Sequence, residues 1–293
     1  MAWSSVLKNI LTIDLEDWFH ANYEKDIIEN GKNYESRVEG NSIKILEYLS
    51  KYNAKATFFV LGSVAEKHPD LINRIAHAGH EIASHGFGHQ LVYLQSEEEF
   101  REDLKNAVEA VKNAAGIQVR GYRAPSWSIT EKSLWAWDII QELGFSYDAS
   151  IFPVKNFMYG MPDAPRFAFK PEHNKKKYDF IEIPTSTLRI GSFNIPFSGG
   201  FYFRILPYTI IKFCIKMLNK EEKPAIVYLH PREIDPKQPR IKLSFLNSFI
   251  HYWGIKNCEK KFQKLLKDFS FTSIIDYYEP EMNKHEEIQY SRI

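Results

Sequence analysis

ILTIDLEDW, residues 10–18, is a short apolar run that ends in three closely spaced carboxylates. Like charges repel at this spacing, so a folded protein retains them most readily where they hold a cation or transfer a proton. The apolar residues that precede them are typical of a buried strand. The stretch therefore predicts a first strand that delivers Asp14, Glu16 and Asp17 to a metal site or a proton-transfer site.

The sequence beyond this stretch alternates short buried strands with helices, which is typical of βα units around a parallel sheet. After the strand at 10–13, we predict strands at 56–61, 80–84, 119–122, 145–148, 225–229 and 271–275, and helices at 42–52, 64–78, 96–115, 130–143, 207–219 and 243–268. About seven strands favour an α/β fold of the irregular (β/α)7-type barrel kind over an open sheet. We expect one catalytic domain, residues 1–293, with an irregular aromatic-rich insertion at about 152–204.

Charge and cysteine content argue against several classes of protein. The net charge of +1 lacks the basic excess of a nucleic-acid-binding protein, so no nucleic-acid partner is expected. Cys214 and Cys258 have neither zinc-site nor disulfide-framework spacing and are read as thiols in a reducing compartment. The N-terminal residues lack a signal-peptide pattern, and no apolar run approaches the ~20 residues of a membrane span. A cytoplasmic protein is expected.

Polar residues follow several predicted strands at positions that a parallel barrel brings to one rim. These residues are Asp14, Asp17, His85, His89, Arg123, Asp148 and His230. His85 and His89 lie four residues apart with two intervening glycines, a spacing that can direct both imidazoles at one ion. Two histidines and one carboxylate would leave a coordination position open for water, as in hydrolytic metal centres.

Each of these residues also has an ordinary structural explanation. The two histidines could be a simple rim pair, and His230 could be a core histidine bonded to backbone. Arg123 could form a surface ion pair, and Asp148 could serve as a turn or cap residue. Their coincidence at one rim is what favours a shared site.

Five short motifs, in this order, resemble those of the polysaccharide deacetylases of the NodB-homology type, carbohydrate esterase family four. The matching stretches are 12–17, 84–89, 123–127, 148–150 and 227–230. The first motif departs from the usual adjacent aspartate pair, because its acids are spread over Asp14, Glu16 and Asp17, as in allantoinase-like and intracellular peptidoglycan deacetylase-like branches. Residues 229–240 are similar to members associated with exopolysaccharide loci.

The resemblance implies specific roles for these residues. Asp14 would be the general base and His230 the general acid, while Arg123 would orient the base and Asp148 would tune His230. The metal ligands would be His85, His89 and Asp17. Glu16 remains an alternative carboxylate ligand, because it lies two residues from Asp14 and so on the same face if the strand continues. The cofactor would be one divalent metal ion, with Zn²⁺ expected first and Co²⁺, Ni²⁺ or Fe²⁺ as alternatives.

The implied reaction is removal of N-acetyl groups from an N-acetylated amino sugar, in a polysaccharide or in a lipid- or nucleotide-linked precursor. Residues at the rim that could contact the saccharide, or could equally pack in the core, are Trp18, Pro125, Trp127, Phe201 and Tyr202. The helix at 207–219 is amphipathic, so a peripheral contact with a membrane that carries a lipid-linked glycan is a further expectation to test. Alternative functions are an allantoinase-like hydrolase of a small cyclic amide and a non-catalytic sugar-binding protein.

Overall fold

A curved parallel sheet forms the centre of the structure, a computed structural model that describes residues 7–22, 34–156, 159–282 and 288–293. The described strands, which form this sheet and two small ones (β9–β10 and β6–β7–β13), are β1 (Asn9–Leu15), β2 (Thr57–Val60), β3 (Glu81–Ser84), β4 (Gly121–Tyr122), β5 (Tyr147–Asp148), β6 (Lys170–His173), β7 (Lys176–Lys177), β8 (Ile181–Glu182), β9 (Thr187–Ile190), β10 (Phe193–Pro196), β11 (Ile226–Leu229), β12 (Phe271–Thr272) and β13 (Tyr290–Arg292). The main sheet has the order β11-β1-β2-β3-β4-β5-β8, and β12 also pairs with β1. This order confirms the predicted α/β class with a barrel-like parallel sheet.

Helices connect and cover these strands. They are α1 (Val38–Lys51), α2 (Gly62–Lys67), α3 (Pro69–His77), α4 (Glu97–Ala115), α5 (Ala136–Glu142), α6 (Gly200–Ile205), α7 (Tyr208–Lys220), α8 (Phe245–Tyr252), α9 (Ile255–Asp268) and α10 (Ile274–Met282). Within the described residues, no helix is both long and apolar enough to cross a membrane.

Strand β1 is buried on both faces, as the central strands of a parallel sheet are. Leu11, Ile13 and Leu15 pack in the larger apolar cluster, which contains most of the buried helix residues. Ile10 packs instead in a second cluster with Phe59 of β2. Hydrogen-bonded neighbours on both sides, β11 and β2, therefore fix where the carboxylates that follow β1 emerge.

The sheet does not close through a direct ladder between the described residues of β8 and β11. Irregular chain from the predicted insertion fills this position. Ile226 N donates to Ser186 Oγ at 2.8 Å, and Tyr228 N donates to Ser198 O at 3.0 Å. The insertion also contains β8 and the antiparallel hairpin β9–β10, so part of it completes the barrel wall.

Three predicted helices differ from the observed ones. The helix expected at 64–78 is interrupted at His68, because Pro69 begins a new helix at its first turn. The helix expected at 243–268 is interrupted where Trp253 is extended and Gly254 has φ of +79°. The helix expected at 130–143 begins only at Ala136. Residues 1–6, which bear on the signal-peptide expectation, lie outside the described residues.

Candidate metal and catalytic site

Asp14 and Glu16 lie on the same side of the chain at the carboxyl end of β1. Asp14 Oδ1 accepts a hydrogen bond from Arg123 Nη1 at 2.7 Å, and Asp14 Oδ2 lies 3.7 Å from His230 Nε2. Glu16 Oε1 lies 3.6 Å from the same histidine nitrogen. Residues from the ends of β1, β4 and β11 therefore meet at one rim, as the parallel arrangement predicts.

Glu16, His85 and His89 form a buried cluster in which one ligand atom from each lies within 4.8 Å of the others. Glu16 Oε2 is 2.6 Å from His89 Nε2 and 3.8 Å from His85 Nε2. Glu16 Oε2 nevertheless lacks a hydrogen bond of acceptable geometry. A buried oxygen without a hydrogen bond, facing two imidazoles, fits a divalent cation of the kind that Glu and His ligands hold.

The protonation states also fit cation binding. Burial lowers the pKa of His85 to about 4, which keeps its imidazole in the neutral form that a metal requires. Its Nδ1 lies 2.8 Å from the carbonyl oxygen of Arg123, so Nδ1 carries the proton and Nε2 faces the cluster. Burial would raise the pKa of Glu16, but His89 and His230 outweigh that effect and bring it below its ordinary value.

Asp17, predicted as the carboxylate ligand, bonds to Arg37 and Ser36, whereas Glu16, the predicted alternative, is the acid grouped with the two histidines. Asp17 Oδ1 accepts from Arg37 N at 2.9 Å, and Asp17 Oδ2 accepts from the Ser36 hydroxyl. Both acids follow the end of β1, where the chain turns: Glu16 N donates to Asp14 O at 3.0 Å and His20 N donates to Asp17 O at 3.1 Å. Asp17 holds the segment that leads into α1.

The loop that carries the two histidines is held by Asp103 of α4. Asp103 Oδ2 accepts from Phe87 N at 2.8 Å, and Oδ1 accepts from Gly88 N at 3.2 Å. Gly86 has φ of +73°, and a Cβ added there would lie 2.7 Å from Asp103 Oδ2. Glycine is required because both the backbone conformation and the close carboxylate disfavour a side chain.

His230 is surrounded by three carboxylates. Its Nδ1 lies 3.7 Å from Glu233 Oε2, while its Nε2 faces Asp14 and Glu16. Burial would lower the pKa of His230, but Glu16, Glu233 and Asp14 outweigh burial and raise it to about 9. The imidazole is therefore protonated near neutral pH, the form that a general acid needs.

Glu233 is itself fixed by a buried arginine. Arg204 Nε donates to Glu233 Oε1 at 3.1 Å, and both side chains are almost fully buried. Glu233 Oε2 also accepts from His230 N at 3.3 Å, as the third residue of the short turn Pro231–Ile234. Glu233 therefore lies against His230 as the partner that Asp148 was expected to be.

Asp148, predicted to tune His230, bonds elsewhere. It accepts from Trp137 Nε1 at 3.1 Å and from the Ser150 hydroxyl, and it pairs in register with Glu182 of β8. The structure thus corrects the expected contact. Asp148 supports the chain at 149–151, where Ala149 O accepts from Arg123 Nε at 3.2 Å, and so helps to place Arg123 against Asp14.

A cavity of about 290 Å³ opens over these groups, and Asp14, Glu16, His85, His89 and His230 all line it. Its aromatic lining includes three residues predicted as saccharide contacts, Trp127, Phe201 and Tyr202, together with Tyr159 and Tyr228. Trp18 also reaches the lining but is almost wholly buried and donates to Glu35 O at 3.2 Å. Pro125 is buried and absent from the lining, so the prediction that it contacts substrate lacks support from the cavity.

Sequence reasoning overlooked three residues of this site. Glu233 had a usable signal, because a proline at the first position and an acid at the third position of a turn resemble a helix start. No specific sequence signal pointed to Asp103 or His20. The ring of His20 stacks on His89 with centroids 5.7 Å apart, and burial lowers its pKa to about 3.

Comparison with known proteins gives two adjacent family matches. Residues 30–147 match the family described as Polysaccharide deacetylase, and residues 149–279 match a domain of unknown function, DUF3473. The peptidoglycan-N-acetylglucosamine deacetylase of Bacillus cereus is 39% identical over 94 residues, which are 32% of this chain and 34% of that protein. The chitooligosaccharide deacetylase of Rhizobium leguminosarum bv. trifolii is 33% identical over 95 residues, 31% of this chain and 44% of that protein. These matches span less than half of either curated relative.

Solved structures support the fold over a longer stretch. A protein from Mycobacterium smegmatis grouped with the polysaccharide deacetylases is 17% identical, with a TM-score of 0.61, covering 99% of this chain and 96% of that one. The peptidoglycan deacetylase PdaC of Bacillus subtilis is 13% identical, with a TM-score of 0.51, covering 97% and 94%. The likeness to these two structures shows a common fold, and residues 30–147 are similar to the polysaccharide deacetylase family.

Proposed function

We propose that this protein is a metal-dependent hydrolase that removes the N-acetyl group from an N-acetylated amino sugar within a saccharide. The observation that carries the proposal is the opening of the Glu16–His85–His89 cluster into the same cavity as Asp14 and His230. A sugar-binding protein would need neither a base nor an acid at this place. The names of two curated relatives, a peptidoglycan-N-acetylglucosamine deacetylase and a chitooligosaccharide deacetylase, support the substrate class.

Glu16, His85 and His89 would hold the cation. A divalent cation there supplies Lewis-acid polarisation of the acetamide carbonyl and makes water acidic enough to lose a proton near neutral pH. Zinc is the first expectation for two imidazoles and one carboxylate, and cobalt, nickel and iron remain alternatives.

Asp14 accepts the proton from the attacking water through the carboxylate whose other oxygen Arg123 holds at 2.7 Å. His230 then donates a proton to the amide nitrogen as the carbon–nitrogen bond breaks, because an amine departs readily only after it is protonated. The products are acetate and a free amino sugar. The aromatic wall of Trp127, Tyr159 and Tyr202 offers ring faces on which the sugar can stack.

Acetate release from N-acetylglucosamine oligomers tests the proposal, with enzyme stripped by a chelator and then reloaded with zinc or cobalt. We expect activity to disappear with the metal and to return with it. Asp14→Asn and His230→Ala should each lower kcat by about 10²–10⁴-fold. The exposed variant Glu98→Gln on α4 serves as a matched control and should retain full activity.

Two results would refute the proposal. Full turnover by protein shown to contain no metal would exclude the cation, and unchanged turnover in both Asp14→Asn and His230→Ala would exclude the assigned base and acid. Hydrolysis of allantoin without any release of acetate from saccharides would favour the cyclic-amide alternative.

A further inference from the structure

Helix α8 presents an unusual apolar stripe to solvent. Phe245 is 92% exposed, Leu246 62%, Phe249 37% and Trp253, just after the helix, 58%. Their spacing places them along one side of the helix, and the rings of Phe249 and Trp253 lie 5.1 Å apart. Scattered exposed apolar residues are ordinary, but a contiguous exposed group marks an interaction surface.

The chain around α8 is basic. From Pro236 to Cys258 the sequence contains no aspartate or glutamate, and its four cations are Lys237, Arg240, Lys242 and Lys256, all exposed. The basic segment lies against α8, because Ile241 N donates to Tyr252 Oη at 3.0 Å and the Arg240 guanidinium lies 4.8 Å from the Tyr252 ring. Apolar and cationic groups are therefore combined on one surface.

This surface is fixed rigidly to the mouth of the cavity. Arg204, which holds Glu233, donates to Ile250 O at 2.7 Å and to Trp253 O at 2.6 Å. Phe201, in the cavity lining, contacts Phe249 with centroids 5.8 Å apart. The apolar stripe is therefore continuous with the cavity wall.

Charge and chemistry select the occupant of this surface. A second copy of the chain would bring like charges together, which costs free energy at an interface. An uncharged saccharide would leave the cations Lys237, Arg240 and Lys242 without an anionic partner. An anionic lipid bilayer meets both features, because the apolar side chains enter its interface and the cations pair with its head groups.

We propose that α8 and the basic segment before it dock this protein on an anionic lipid surface. The docking itself is independent of the reaction. It also places the cavity mouth beside the bilayer, where a saccharide carried on a lipid anchor could reach Asp14 and His230. This last step, which names a lipid-linked saccharide as the substrate class, rests on the proposed function.

Vesicle co-sedimentation of the full chain tests the docking. We expect binding to vesicles of phosphatidylcholine mixed with phosphatidylglycerol, much weaker binding to phosphatidylcholine alone, and loss of binding at high salt. Phe245→Ser with Leu246→Ser should weaken binding about tenfold or more. Replacing Lys237, Arg240 and Lys242 by glutamine should weaken it about a hundredfold.

The matched control is Ile210→Ser with Phe213→Ser on α7, where two exposed apolar side chains lie on another amphipathic helix. This variant should bind vesicles as the unchanged chain does. All variants should retain the thermal midpoint and the turnover of soluble oligosaccharides, since none of the replaced side chains lines the cavity.

Three outcomes would overturn the docking proposal. The first is that the α8 variant and the lysine–arginine variant bind vesicles as the unchanged chain does. The second is that only the α7 variant loses binding. The third is that the variants change only self-association or only oligosaccharide affinity. The vesicle measurement needs no turnover, so an inactive enzyme that still binds vesicles refutes the proposed function and leaves the docking intact. Equal turnover of lipid-linked and soluble saccharides on vesicles would refute the substrate class alone.

Discussion

Neighbouring acids at the end of β1 have different surroundings. Glu16 faces the imidazoles of His85 and His89, whereas Asp17 accepts from backbone and hydroxyl groups of the chain before α1. One residue step after β1 therefore separates an acid that lies with the histidines from an acid that holds the neighbouring chain. The assignment can be tested by exchanging each acid for its amide.

Glu16→Gln should lose most of its bound metal and its activity, because an amide oxygen is a poorer ligand for zinc than a carboxylate. Asp17→Asn should retain its metal and show a thermal midpoint lowered by a few degrees, because the hydrogen bond from Arg37 N weakens. Metal content per protein and a thermal melt of each variant measure the two effects. Loss of metal from Asp17→Asn but not from Glu16→Gln would instead identify Asp17 as the ligand.

A second pair of acids, Glu233 and Asp148, also differs in its contacts, because only Glu233 lies against His230. Glu233 lies 3.7 Å from Nδ1 and is held by Arg204, while Asp148 is engaged with Trp137 and Ser150. Glu233 is a positioning residue, since it acts on the imidazole and not on the substrate.

Glu233→Gln should lower kcat by about ten- to a hundredfold with little change in KM, because the imidazolium loses a stabilising carboxylate. The limb of the pH–rate profile that reports the acid should move to lower pH, in the direction opposite to the upward pKa shift that Glu233 contributes. Glu233→Asp should recover part of the rate. An unchanged pH profile would indicate a purely structural role.

At the scale of elements, α4 fixes the conformation of the loop between the two histidines. The carboxylate of Asp103 accepts two successive backbone N–H groups of this loop, and His89 itself has φ of +57°. A conformation with positive φ at a residue other than glycine persists only where its surroundings enforce it.

Asp103→Ala should lower metal affinity by about 10–100-fold, the range found when outer hydrogen-bond partners of a metal site are removed. Asp103→Asn keeps one acceptor oxygen, so its metal affinity should lie between those of the unchanged protein and Asp103→Ala. Titration with zinc in competition with a chromophoric chelator measures the affinities. Equal affinity in all three proteins would show that the loop holds its shape without α4.

The sequence predicted which strands and helices exist better than it predicted the residues at which they begin and end. Apolar runs located β1, β2 and β11 because both faces of these strands are buried. The breaks at Pro69 and Gly254 were missed, since apolar periodicity continues across both. The motif residues Asp14, His85, His89, Arg123 and His230 converge as expected, whereas the contacts of Asp17 and Asp148 depend on hydrogen bonds to distant backbone that no local pattern encodes.

At the scale of the molecule, the two family matches meet inside one sheet. The first match ends at residue 147, within β5, and β5 pairs with β8 from the second match. Asp148 and Glu182 are register partners of β5 and β8 at this junction, and burial raises the pKa of both carboxyl groups. Because these raised pKa values favour the protonated form, folding stability is lost as the pair ionises.

The free energy of unfolding should therefore fall as the pH rises from about 4.5, the ordinary value for glutamate, through the raised pKa values of the pair. The loss amounts to about 1.4 kcal/mol for each unit by which the pKa is raised. Glu182→Gln should remove much of this slope while keeping the oxygen that accepts from Ile151 N. Urea unfolding of both proteins across this pH range measures the difference, and parallel curves would refute the coupling.

Strand β1 lies outside both matched ranges, since it ends before residue 30, and yet it is the central partner of β2, β11 and β12. A gene trimmed to the two recognised segments would encode a chain without β1 and without Asp14 and Glu16. Such a chain would keep both histidines but would lack the carboxylates that face them. Any shortened form made for expression should therefore keep β1, because this strand precedes both matched segments and leads into the two carboxylates of the site.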